Sequence, residues 1–175
     1  AQANGIVTPG NVHGRVYEAN GTAKTDEFKI TNFPAESDAA NPGNGFDTEV
    51  AALKGGGFVA TWEATGVSGG DDNGKGIYAS IVTSDGVVGS PVLVNDNMSG
   101  SQSDPDVAAL ADGGFLISFS DESAATGQRF DSTGSKLGTN FTVGFGGSTS
   151  VAGLLDGSAV ITGNVVHELV SSVIS

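Results

Sequence analysis

The sequence predicts an all-β fold, an antiparallel repeat of about three four-stranded units. Three observations predict it. The first is a phrase that recurs. Its clearest copy runs from Asp106 through Val107-Ala108-Ala109-Leu110, the turn Asp112-Gly113-Gly114 and the return Phe115-Leu116-Ile117-Ser118-Phe119. An earlier copy runs from Glu49 to Trp62 around Gly55-Gly56-Gly57, and a weaker one runs from Ser150 to Thr162 around Asp156-Gly157. Self-similarity of this kind signals a repeat architecture. The second is punctuation: the apolar runs are short and are separated by Gly, Asp and Asn clusters, the pattern of strands and tight turns. The third is glycine, 28 of 175 residues without a three-residue period, which excludes collagen and supplies many turns.

Each element follows from the same signals. Residues 1–11 contain Gly and Pro, show no period, and read as a leading arm or an edge strand. Val12 to Tyr17 and Phe28 to Thr31 are β-type runs joined through Asn20-Gly21, a strong hairpin signal. Residues 33–46 are a loop by punctuation, and the first core hairpin follows at Thr48 to Trp62. A polar insert at 64–76 precedes an outer pair, Ile77 to Val82 and Pro91 to Asn95, which turns at Ser84-Asp85-Gly86. The second core hairpin leads to a third outer pair, Gly127 to Phe130 and Asn140 to Val143, and then to the third core hairpin. Val165 to Ile174 fits one helical face, but its β-branched residues favour a final strand. The expectation is one domain, 1–175, with units of roughly 12–63, 76–120 and 126–163 and a terminal strand at 164–175.

A four-stranded unit of about 40–50 residues is the size of a propeller blade, so a β-propeller-like array ranks first. Three units are few for a closed ring. That leaves a fragment of a longer array, an assembly of copies, or a β-sandwich or prism; a β-solenoid also suits Gly- and Asp-rich turns. The outer pair comes first in this reading, so the N-terminal outer pair is suited to complete a blade begun by the C-terminal hairpin.

Charge narrows the function. The net charge is −13 although only 15% of residues are charged, so the surface is polar and set with carboxylates. Such a field repels nucleic acid and anionic membranes and attracts divalent cations. No stretch approaches the roughly 20 apolar residues of a membrane helix. Cys is absent, and with low Lys and abundant Asp, Gly, Ser and Thr this favours an extracellular origin. The start at Ala1-Gln2-Ala3 is consistent with a mature product or an excised fragment.

Gly76-Ile77-Tyr78-Ala79, Gly127-Gln128-Arg129-Phe130-Asp131-Ser132-Thr133-Gly134, Val94-Asn95, Pro105 to Phe115 and Phe58-Val59-Ala60-Thr61-Trp62 together resemble a tandem repeat of large secreted bacterial proteins. That family's phrases look like Gly-Ile-Tyr-Ala-Gln-x-Phe-Asp-x-x-Gly and Val-Ala-Ala-Leu-x-Asp-Gly-Gly-Phe-Val-Val-Thr-Trp, and they occur beside haemolysin-type (RTX) calcium-binding segments. The resemblance spans residues 12–163. It implies a calcium-rich extracellular setting, in adhesins and surface proteins, and brings no catalytic residues. The third core hairpin departs from it, with Ser158-Ala159 in place of Gly-Phe, as in a terminal unit.

Candidate metal ligands are Asp71, Asp72 and Asn73 in the polar insert, and Asp96, Asp104 and Asp106 around the loop that follows Asn95. Calcium takes six to eight oxygens from carboxylates, amides and backbone, and Gly permits the sharp turns between them; the competing reading is that these residues cap turns. Asp121-Glu122 is placed to join either group. His13 and His167 are the only histidines, and His167-Glu168-Leu169-Val170-Ser171 has Ser where a zinc-binding helix needs its second His. No Gly-x-Ser-x-Gly elbow and no phosphate loop is present. Trp62 reads as core, with a lesser reading in which Trp62 and Tyr78 form a sugar-binding pair. Tyr17 and Tyr78 are taken as equivalent positions of two outer strands.

The functional expectation is a non-catalytic, calcium-stabilised extracellular or cell-surface module of a bacterial protein, for adhesion or glycan and matrix contact. Ion binding to the folded state alone would stabilise it by mass action. An assembly unit that pairs its sheet edges with another chain is the first rival. A polysaccharide-acting enzyme with paired carboxylates is the second.

Overall fold

The structure is a computed structural model and describes residues 11–31, 47–65, 71, 74–121, 124–144 and 147–163. The leading residues 1–10, the whole loop at 33–46, Asp72, Asn73, Glu122, His167 and the expected terminal strand at 164–175 lie outside the described residues. The described chain is all-β with twelve strands and no helix: β1 (His13–Gly14), β2 (Phe28–Lys29), β3 (Thr48–Ala52), β4 (Phe58–Thr65), β5 (Lys75–Val82), β6 (Val92–Leu93), β7 (Gln102–Ala109), β8 (Phe115–Asp121), β9 (Ala124–Phe130), β10 (Phe141–Thr142), β11 (Thr149–Gly153) and β12 (Ala159–Gly163). All pairs are antiparallel, as short connections between consecutive strands require.

The strands form four sheets: β1-β2, β3-β4-β5-β6, β7-β8-β9-β10 and β11-β12. Their phase differs from the expected units. The first two core hairpins each pair with the outer pair that follows, through long ladders such as Phe58↔Val82 to Thr65↔Lys75. A unit of outer pair then core hairpin is therefore split between two sheets. The two middle sheets are complete four-stranded meanders, and among the described residues none closes into a barrel.

Three apolar layers lie between successive sheets. The first joins Val12 and Ile30 to Ala60, Trp62, Ala64 and Tyr78. The second joins Val59, Ile77 and Ala79 to Val107, Phe115, Ile117, Phe119 and Phe130, whose Phe115 and Phe130 rings stack at 4.8 Å. The third joins Ala108, Leu110 and Leu116 to Val151. Odd and even positions of β8 face different layers, so both faces are buried. That is why Phe115 to Phe119 reads as a near-continuous apolar run rather than an alternation.

The repeat is exact at its turns. Leu53, Leu110 and Leu154 donate N–H to the carbonyls of Gly57, Gly114 and Ser158 at 3.1, 2.8 and 2.8 Å, and their own carbonyls accept from Gly56, Gly113 and Gly157. Gly113 has φ +95, a conformation that any Cβ would strain. In the outer turns Glu18, Thr83 and Asp131 donate N–H to Thr22, Val87 and Ser135 at 2.8, 2.9 and 3.0 Å. These bonds correct one expected equivalence. The bridges Tyr17↔Ala23, Val82↔Val88 and Phe130↔Lys136 align Tyr17 with Val82 and Phe130. The ladder pairs His13↔Lys29, Tyr78↔Leu93 and Thr142↔Thr126 align Tyr78 instead with His13 and Thr126.

The third hairpin departs where it must. A Cβ on Gly57 or Gly114 would lie 2.3 Å from the carbonyl oxygen of Val82 or Phe130, on the next strand. Ser158 holds the same turn position. Among the described residues no strand follows β12 in its sheet, so nothing there meets the serine Cβ.

Candidate functional site

The predicted carboxylates are brought into three different settings. Asp71 is fully buried; its Oδ2 accepts from Asn95 Nδ2 at 2.9 Å and its N–H donates to the Tyr78 hydroxyl at 3.0 Å. Asn95 in turn accepts the Ile77 N–H and donates to the Asn97 carbonyl, so Asp71 is held to β5 through Asn95 and Tyr78. Burial pushes the Tyr78 phenol up; the Asp71 N–H opposes this and the Asp71 charge adds to it.

Asp96 joins the two middle sheets. Its carboxylate takes the Lys136 ammonium at 2.6 Å and the Asn140 N–H at 2.7 Å, and Asn140 Oδ1 accepts the Asp96 N–H in return. Lys136 first, with the Asn140 N–H, holds this carboxyl below its ordinary value against a smaller opposing effect of burial.

Asp104 and Asp106 sit on either side of Pro105 where the β7 ladder slips register between Ser103 and Asp106, as at a β-bulge. Asp104 has φ +52, a region that Asp tolerates better than most residues. Its N–H is caught by Glu63 Oε1 at 2.9 Å, and the buried Glu63 also binds Lys75 Nζ at 2.6 Å. Asp106 Oδ1 accepts its neighbour's N–H from Val107, while Oδ2 accepts from Ser150 Oγ at 2.9 Å and Val151 N at 2.7 Å.

Around this bulge lies an open groove of about 440 Å³. Asp47 and Glu49 line it from the first core hairpin, Asp104 to Asp106 from the second, and Ser148 to Ser150 from the third. These are the same positions of the repeated phrase, contributed by β3, β7 and β11 in turn. A second groove at the opposite ends of those strands is built the same way from Ala52 to Lys54, Ala109 to Ala111 and Gly153 to Leu155. The first is acidic and the second mainly apolar.

Of the expected calcium ligands the structure describes Asp71, Asp96, Asp104 and Asp106. No cluster of three or more Asp, Glu or His groups suited to a metal exists among the described residues. Asp96 and Asp106 already accept N–H, O–H or ammonium donors of the chain, and Asp71 accepts one from Asn95. Trp62 and Tyr78 are core residues rather than an exposed sugar platform. They are 1% and 4% exposed, with rings 6.4 Å apart and nearly parallel.

The most exposed aromatic among the described residues is Tyr17, at 59%, with Phe141 next at 45%. It lines a cleft of about 320 Å³ with His13, Gly14, Arg15 and Glu27 on the β1-β2 pair. His13 Nδ1 lies 2.8 Å from Glu27 Oε1. Val12, opposite in alternation, is buried against the neighbouring sheet, and Gly14 lies against Phe28, where a Cβ would come within 2.8 Å of the ring. Taking Tyr17 as the counterpart of the core residue Tyr78 concealed this cleft. The period-two alternation of His13, Arg15 and Tyr17 with Val12, Gly14 and Val16 is the signal that reveals it. No protein-family model matches this chain, and no curated protein matches it.

Proposed function

We propose that the chain is a non-catalytic contact module of a secreted or surface-bound bacterial protein, built on a propeller-like array and directed at a glycan or matrix component. The observation that carries this reading is the use made of the carboxylates. Asp96 and Asp106 each hold one sheet to the next, and Asp71 latches a loop. A carboxylate whose oxygens are filled by fixed donors is a poor general acid, base or nucleophile. It makes a good rivet.

The propeller-like reading is supported by the two complete four-stranded meanders and by the innermost strands β3, β7 and β11, which line both grooves in order. The half-sheets β1-β2 and β11-β12 correspond to the outer and inner halves of such a blade. Rigid loops fixed by the chain's own donors suit a surface that presents a constant shape.

The test is binding to a panel of immobilised polysaccharides, with release of reducing ends measured in parallel. Binding without turnover is expected. Turnover that falls with Asp104→Asn or Asp106→Asn, in variants that still fold, would replace this reading with an enzyme. Thermal melts in calcium, magnesium and EDTA complete the test, and they are expected to agree within about a degree. A calcium-specific rise of several degrees would restore a stabilising ion, by the mass-action effect of a ligand on the folded state.

A further inference from the structure

We infer that the cleft on β1-β2 binds a carboxylated sugar residue of the uronic-acid class, with Arg15 taking the carboxylate and Tyr17 the sugar face. The inference rests on the glycan-contact reading above and gives it a place and a ligand class.

The repeat supplies the control. His13, Arg15 and Tyr17 correspond in register to Tyr78, Ser80 and Val82 of β5, and to Thr126, Gln128 and Phe130 of β9. All six counterparts are buried, Tyr78 and Phe130 in the apolar layers between sheets. On β1 no described sheet covers that face, and Tyr17 is left mostly open. The residues have changed to match: a cation, an imidazole and an amphipathic ring stand where the other units place neutral or apolar side chains. Burying Arg15 under another apolar sheet would leave its charge unpaired, which disfavours such a partner.

Seven Lys and Arg face 20 Asp and Glu, yet Arg15, like Lys29 and Lys54, forms none of the ion pairs among the described residues, and of the two arginines only Arg129 is paired. Glu27, in the same cleft, is engaged with His13 instead. A guanidinium offers a planar fork of donors that matches a carboxylate with two parallel bonds. Tyr17 adds an apolar ring face with a polar tip, suited to the C–H face of a pyranose ringed by hydroxyls. Glu27 Oε2 is placed to accept hydrogen bonds from sugar hydroxyls at the edge.

The experiment titrates the full chain with a short oligogalacturonate and with the same oligomer methyl-esterified, which masks the carboxylates, in salt sufficient to screen the chain's net charge of −13 so that the local contact is read. The unesterified oligomer is expected to bind about tenfold or more tightly, the size of one charge-assisted contact. Arg15→Gln should abolish that preference while leaving the weak binding of the ester, and Tyr17→Ala should weaken both. Unchanged melting temperatures would show that both variants fold. Equal affinity for the two oligomers, or a preference that survives Arg15→Gln, would overturn the inference. Polysaccharide binding indifferent to Arg15 and Tyr17 would overturn this site and leave the glycan-contact reading standing. Failure to bind any glycan would remove both. A concentration-dependent dimer dissolved by the same substitutions would assign the face to a second copy and overturn the sugar.

Discussion

Asp106 on β7 reaches the main-chain N–H of Val151 on β11 at 2.7 Å, so one carboxylate oxygen ties the third hairpin to the second. The same oxygen takes the Ser150 hydroxyl. Asp106→Ala leaves the N–H of the buried Val151 without this acceptor. The expected cost is about 1–3 kcal/mol, or a few degrees of melting temperature in a chain of this size. Ser150→Ala should cost about 1 kcal/mol or less, since the N–H bond survives. Denaturant melts of the two variants check the order, and equal effects would show that the main-chain bond carries nothing.

Glu63 and Lys75 form the most buried ion pair, with the Glu63 side chain 4% exposed and that of Lys75 27%. Removing one partner should cost more than removing both. Lys75→Met alone is expected to destabilise by about 2–4 kcal/mol, because the carboxylate is then left to the Asp104 N–H. The double change Glu63→Gln, Lys75→Met should recover part of that loss, because the amide oxygen still serves the Asp104 N–H. A double-mutant cycle measures the coupling, and strict additivity would count against it.

Acid should loosen the joint between the middle sheets. Lys136 holds the Asp96 carboxyl low in the folded state. A depressed folded value gives a contribution that is complete above the unfolded value, near 3.9, and is lost as pH falls through the folded one. Asp112, held low first by the Gly114 N–H and then by Arg129, and Asp131 and Asp156, held low first by the hydroxyls of Thr133 and Ser158, act in the same direction. Melting temperature is therefore expected to be flat from about pH 8 to 5 and to fall below about pH 4. Asp96→Asn should make the fall shallower. An unchanged acid limb in that variant would assign the loss to other carboxylates.

Glycine and serine at the hairpin corner should not be interchangeable. Gly114→Ser places a Cβ against the Phe130 carbonyl and is expected to cost about 1–3 kcal/mol, the range of overpacking. Ser158→Gly at the same position of the third hairpin should change stability by about 1 kcal/mol or less, chiefly through the lost bond to Asp156. Similar costs at both sites would indicate that the next strand is not what excludes the side chain.

The all-β class, the three core hairpins and their turns were legible because each rests on local chemistry: apolar runs, Asp-Gly and Asn-Gly corners, glycine where φ is positive. The grouping of strands into sheets was not. Whether Lys75–Val82 joins the core hairpin before it or the one after it is decided by its long ladder to Phe58–Thr65, and composition does not encode that choice. The acidic residues illustrate a second limit. Asp96 and Asn140 lie 44 positions apart, and only their meeting shows that the carboxylate serves as a joint. Tyr17 was misplaced because one aromatic was matched to another, whereas hydrogen-bond register matches it to Val82.

Each described sheet pairs only strands that follow one another in the chain. Every ladder can therefore close as a local hairpin, with little loop entropy to overcome before contacts form. The sheets then need only to dock through their apolar layers and the few side-chain joints between them. Such a chain is expected to come apart from its ends, with the third hairpin exchanging its amide protons first and the two central meanders last.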